Sequence, residues 1–120
     1  MRVENLDKGI RLFNEGEYFE AHEAWETLWL GTPESPERHF IQGMIKIAAA
    51  LVHYKRKEYA GTEKLLMSGM KILREYNIAK IAIDKEAFMK EVEAFYEKFK
   101  SSKEIAKDEF PKISTCYSAG

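Results

Sequence analysis

Cysteine occurs once in this 120-residue chain, so no disulfide can close within it. That residue, Cys116, lies in a Ser/Thr-rich tail with no histidine nearby to activate it, and a catalytic thiol is not expected. Long apolar runs are also missing. The N-terminal MRVENLDKG lacks the apolar stretch of a signal peptide, and the most apolar segment, Ile45 to Val52, is short and interrupted by Lys46. A cytoplasmic protein without membrane association is expected. There is no excess of charge of one sign: the formal net charge is −1 and the pI near 6.3. With no broad positive field to collect phosphates, nucleic-acid binding is not expected. The basic run Lys55-Arg56-Lys57 sits where a helix should end and complements the negative end of its dipole. Glutamine occurs once and asparagine three times against many Glu and Lys, a bias of proteins from hot environments, so a thermophilic source is expected. Nucleophilic triads, glycine-rich phosphate loops and Cys/His metal clusters are absent, which removes the commonest enzyme classes.

What is present is a large apolar fraction, 45%, beside 32% charged residues, enough to build one core in a chain of this size. The apolar spacing is helical throughout. Leu6, Ile10 and Phe13 predict a first helix over about 4–15, stopped at Gly16. Tyr18, Ala21, Trp25, Leu28 and Trp29 predict a second from Glu17 to Leu30, ending at Gly31. Ser35 suits an N-cap and Pro36 the first helical position, so a third helix should run to about Lys57. It is apolar around most of its circumference, as a helix surrounded by others must be. A fourth follows over about Glu58 to Tyr76, and Asp84 caps a fifth, amphipathic helix bearing Phe88, Val92, Phe95 and Phe99. The expectation is an all-α bundle of about five helices over 1–100, followed by an irregular tail over 101–120 containing Pro111. The aromatic surface of the fifth helix, with Tyr96, also predicts self-association into a homo-oligomer.

The chain carries an internal echo. Phe13, Tyr18, Ala21 and Trp25 match Tyr54, Tyr59, Thr62 and Leu66 at a fixed offset, each set being helix end, turn aromatic, small residue and bulky residue. The pattern is similar to a tetratricopeptide helix pair, but the offset is longer and two units make no solenoid. Two stacked helical hairpins around the central apolar third helix are expected instead.

Polar residues concentrate on the second and third helices. His22 and Glu26 stand one turn apart on the second, flanked by Glu20 and Glu23, and an i, i+4 His/Glu pair can bind a divalent metal. This is not the zinc-protease motif, because Glu26 occupies the place of its second histidine. On the third helix Arg38, Gln42, Lys46 and His53 form a polar stripe on an otherwise apolar cylinder. If the two helices pack as an antiparallel hairpin, Glu26 should lie near Arg38, and Glu23 or His22 near Gln42 and Lys46. Three readings follow: a sealed interhelical network, an open ligand site, or acid–base chemistry. Trp25 and Trp29 read as core rather than as a binding platform, although Trp29 at the helix end could line a pocket; His39 reads as a surface residue and His53 as a satisfied interior histidine.

The run Phe13-Asn14-Glu15-Gly16-Glu17-Tyr18-Phe19-Glu20-Ala21-His22-Glu23-Ala24-Trp25-Glu26-Thr27-Leu28-Trp29, with Arg38, Phe40 to Lys46 and Ala48 to His53, resembles the domain-of-unknown-function 309 family. The resemblance implies an all-α bundle and carries no established activity. Its signature coincides with Glu20, His22, Glu23, Trp25, Glu26, Trp29, Arg38 and Gln42. These residues, with Lys46, are the candidate ligand-binding set. The favoured reading is a non-enzymatic module binding an unidentified ligand or protein, with no resident cofactor expected. The alternative is a metal-assisted hydrolase in which His22 and Glu26 hold a divalent metal and Glu23 is the general base.

Overall fold

Each helix boundary follows from local chemistry. A computed structural model of the chain describes residues 3–76 and 82–115. The first helix, α1 (Val3–Asn14), ends where Gly16 turns into the left-handed region at φ +85°. There the Glu17 N–H donates to the Leu12 carbonyl (2.8 Å) and the Gly16 N–H to that of Phe13 (3.0 Å), the paired bonds of a Schellman stop. The second, α2 (Tyr18–Leu30), returns against α1. The third, α3 (Pro36–Lys55), starts with the Ser35 hydroxyl accepting from the Arg38 N–H at 3.2 Å and with proline in its first turn, as its sequence predicts.

The end of α3 repeats the end of α1. Glu58 N–H donates to the His53 carbonyl (2.9 Å) and Lys57 N–H to that of Tyr54 (3.0 Å). The residue at the left-handed position is Lys57, at φ +61°. The helix therefore closes at Lys55, two residues before the sequence expectation, and α4 opens at Tyr59 and runs to Glu75. The internal echo is thus a repeated helix stop, with Gly16 and Lys57 in the same role. Each stop delivers an aromatic, Tyr18 or Tyr59, to the start of the following helix, and then a small buried residue, Ala21 or Thr62.

The helix α3 lies between α2 and α4, burying Phe40, Ile41, Met44, Ile47, Ala48 and Leu51. The last long helix, α5 (Lys85–Ser101), is capped by the Asp84 carboxylate accepting from Ala87 N–H at 3.0 Å. Its Phe88, Val92, Phe95 and Phe99 are buried within the chain, each such side chain contributing about 1.5 to 3 kcal/mol of transfer free energy. Phe88 meets Phe13 edge-on at 5.8 Å, and Phe95 and Phe99 meet Tyr54. Tyr96, the further aromatic of this helix, is half-buried and its hydroxyl donates to Glu63 at 3.2 Å.

Beyond α5 the described residues are irregular apart from a 3-10 turn at Lys107–Glu109 and an isolated antiparallel bridge between Thr115 and Ile83. This segment is nonetheless part of the core. Phe110 and Ile113 are buried, and Phe110 packs on Tyr18, Tyr54 and Phe95. Asn14 clasps the backbone of Ile113 twice, accepting from its N–H at 2.8 Å and donating to its carbonyl at 2.9 Å. Cys116 lies outside the described residues. No helix among the described residues is long and apolar enough to cross a membrane.

Candidate functional site

The helix α2 turns one side to the core and the other to solvent, and its candidate residues divide accordingly. Ala21, Trp25 and Leu28 are buried. Trp25 is fully enclosed and its indole N–H donates to the Leu6 carbonyl at 3.3 Å, so it supports the patch from behind. Glu20, Glu23 and Glu26 are exposed on the outer side. Among the described residues neither Glu20 nor Glu23 has an ion-pair partner.

His22 stands at the margin between the two sides. Its Nδ1 is enclosed and is the one buried side-chain polar atom without a hydrogen-bond partner among the described residues. The nearest carboxylate oxygen, Glu26 Oε1, is 3.7 Å away, as the one-turn spacing dictates, yet too far for a hydrogen bond. The Phe19 ring stacks nearly parallel to the imidazole, with centroids 6.3 Å apart. Phe19, His22, Ala49, Val52, His53 and Arg56 together line a small open cavity of about 160 Å³ between α2 and the end of α3.

The polar stripe of α3 does not meet α2 as a unit. Arg38 lies over the Trp29 ring, its guanidinium carbon 3.8 Å from the centroid, and donates from Nε to the Trp29 carbonyl at 3.2 Å. Its carboxylate partner is Glu34, at 3.9 Å in the preceding loop, and the expected pairing with Glu26 or Glu23 does not occur. Lys46 turns the other way and donates to Ser68 Oγ on α4 at 2.9 Å, so it does not face His22 or Glu23. Gln42 is half-buried and its amide has no hydrogen-bond partner among the described residues. His53 Nδ1 contacts Glu58 Oε1 at 2.8 Å. His39 contacts Glu34 and stacks on Tyr76 at 4.5 Å.

The expected sealed network is therefore several separate pairings, and the face that remains open belongs to α2. For a metal, His22 and Glu26 supply two donors; no three His, Cys, Asp or Glu side chains converge on one point among the described residues. A residue pair missed from sequence now stands out. Phe19 and Leu30 are 52% and 74% exposed, and with Met67 they are the large exposed hydrophobics of the described chain. Eleven positions at 100° each return to within about 20° of the starting direction, so Phe19 and Leu30 lie on one line along α2. Their spacing on an otherwise acidic face was the signal available in the sequence.

The family described as a domain of unknown function (DUF309) matches residues 6–65, from α1 into the first half of α4. Over 87 residues the chain is 26% identical to the uncharacterized protein YpuF of Bacillus subtilis (strain 168), covering 71% of this chain. The chain spans about half the length of that curated relative, 50% of it being covered.

Proposed function

The chain belongs to the domain-of-unknown-function 309 family, and we propose that it is a binding module whose outer α2 face receives a basic amphipathic helix of a protein partner. The observation that carries this reading is the pairing of Phe19 and Leu30 on one line, with Glu20, Glu23 and Glu26 between and beside them. The two apolar side chains are about 16 Å apart along the axis, three turns of helix. A partner helix with apolar residues at matching turns would cover both and set its Lys and Arg against the three carboxylates. No Lys or Arg occurs in α2 itself. Of the nearby cations, Arg38 pairs with Glu34 at 3.9 Å and Lys46 turns to Ser68 on α4, while Arg56 lies beside Phe19 at the start of the face.

The test uses a designed helical peptide with leucine at every turn on one side and lysine elsewhere, beside a twin carrying glutamate for lysine. Titration into the isotopically labelled full chain should shift the amides of Phe19 to Leu30 with the lysine peptide alone. Phe19→Ala with Leu30→Ala should weaken binding at least tenfold, and added salt should weaken it further. Equal binding of both peptides, or retention of affinity in the double variant, would remove the proposal.

A further inference from the structure

The C-terminal end of α3, which borders Phe19 on one side, carries a second cavity around the α1–α2 turn. The α1–α2 turn, the last turn of α3 and the irregular tail enclose an open cavity of about 330 Å³, within the size range of pockets that take small organic ligands. Its wall is aromatic and aliphatic: Tyr18 and Phe110 stack nearly parallel with centroids 5.9 Å apart, and Ile105 lies beside them. Its charged lining is one-sided, with Lys55, Lys107 and Lys112 against Glu15 alone.

The lysines differ in what holds them. Lys55 donates to the Gly16 carbonyl at 3.1 Å and lies 5.1 Å above the Tyr18 ring; Lys112 donates to the Asn14 carbonyl at 2.7 Å. Both ammoniums thus satisfy the exposed carbonyl end of α1, and each has two further N–H donors. The Lys107 ammonium has no hydrogen bond or ion pair among the described residues; the residue's carbonyl accepts from the Phe110 N–H at 3.3 Å. The carboxylate of Glu109, its near neighbour, is held by the Ala106 N–H at 3.2 Å and by Lys98. The Tyr18 hydroxyl likewise has no partner among the described residues. Burial pushes its phenol up to about 12, so it remains a donor across the physiological range.

We propose that this cavity binds an aryl oxyanion, a flat ring bearing a phosphate or carboxylate, with the ring against Tyr18 and Phe110 and the anion among Lys55, Lys107 and Lys112. A flat ring suits the stacked wall, and an anion answers three cations gathered around one carboxylate. Lys107 would be the lysine recruited by the ligand, since its ammonium is not engaged. Ile105, Lys107, Phe110 and Lys112 lie beyond the family-matched residues 6–65, so the site would be a property of this chain's C-terminal segment joined to the shared helices.

Phenyl phosphate, benzoate, inorganic phosphate and uncharged phenol, each titrated into the isotopically labelled full chain, separate the two halves of the claim. Phenyl phosphate or benzoate should give saturable shifts at Gly16, Tyr18, Lys55 and Phe110, and comparison of the two identifies the preferred anion. Phenol and inorganic phosphate should each bind at least fivefold more weakly than the better aryl anion. Lys107→Gln should weaken that anion at least fivefold while leaving the urea midpoint unchanged, because the side chain holds nothing in the free protein. Lys112→Gln is the second variant, and should also weaken binding. Absence of saturable shifts with both aryl anions, shifts outside this cavity, or full affinity in both variants would overturn the proposal.

Discussion

The indole of Trp25 occupies the space that a side chain on Gly9 would need: a Cβ built there would lie 2.0 Å from Nε1 and 2.4 Å from Cδ1. α1 and α2 approach closely at this point because residue 9 carries no side chain, and the indole N–H uses the approach to reach the Leu6 carbonyl. Gly9→Ala should expel the ring and lose about 2 to 4 kcal/mol, from overpacking together with the lost hydrogen bond. Urea unfolding would measure the loss, and red-shifted tryptophan emission would report the displaced indole. A wild-type midpoint would refute it.

Lys57 holds a left-handed conformation that costs an ordinary residue about 1 to 2 kcal/mol, whereas glycine adopts it freely. Lys57→Gly should therefore raise stability by about 1 kcal/mol, the rest of the relief being offset by the greater freedom of glycine in the unfolded chain. Gly16→Ala, made at the equivalent stop, should lower stability by a similar amount. The same sign for both variants in thermal melts would contradict the equivalence of the two turns.

Arg38→Ala should cost about 1 to 2 kcal/mol, because it removes a cation–π contact and one hydrogen bond to Trp29. The carboxylate it leaves behind, Glu34, is 72% exposed and stays hydrated. Arg38→Lys should not restore the loss, since the stacked planar group is absent. His22→Ala should add to Arg38→Ala within about 0.5 kcal/mol, because the two side chains share no partner. A loss above about 3 kcal/mol would point instead to a buried carboxylate depending on Arg38.

Stability should fall in alkali through Tyr18. Its folded-state pKa is raised from 10 to about 12 by burial, so between those values the folded protein binds the proton that the unfolded chain has released. The contribution is intact below pH 10 and lost as pH rises toward 12. Tyr18→Phe should flatten this part of the pH–stability curve, and an unchanged slope in urea titrations across that interval would count against it.

The helices were legible because their signals are local. Ser35 and Asp84 announce two starts, Gly16 one stop, and the 3.6-residue period places Phe13, Trp25 and Phe40 inside. The partners of the polar residues were not legible, since a helix packed on two sides divides a single stripe between neighbours. Arg38 thus goes to Trp29 on α2, Lys46 to Ser68 on α4 and His53 to Glu58 in the turn, although all were read as one row. The burial of Phe110 and Ile113 escaped for another reason. Their segment has no periodicity, and the Asn14–Ile113 clasp spans almost the whole chain.

That clasp bears on the order in which the protein is made. A ribosome delivers α1 through α5 before Phe110 and Ile113 emerge, and until then Tyr18, Tyr54 and Phe95 lack the ring that covers them. Helix pairs can form during synthesis, since their contacts are near in sequence. The last closure must wait until Ile113 has emerged, so a shorter nascent chain carries an uncovered aromatic seam that a chaperone could recognise.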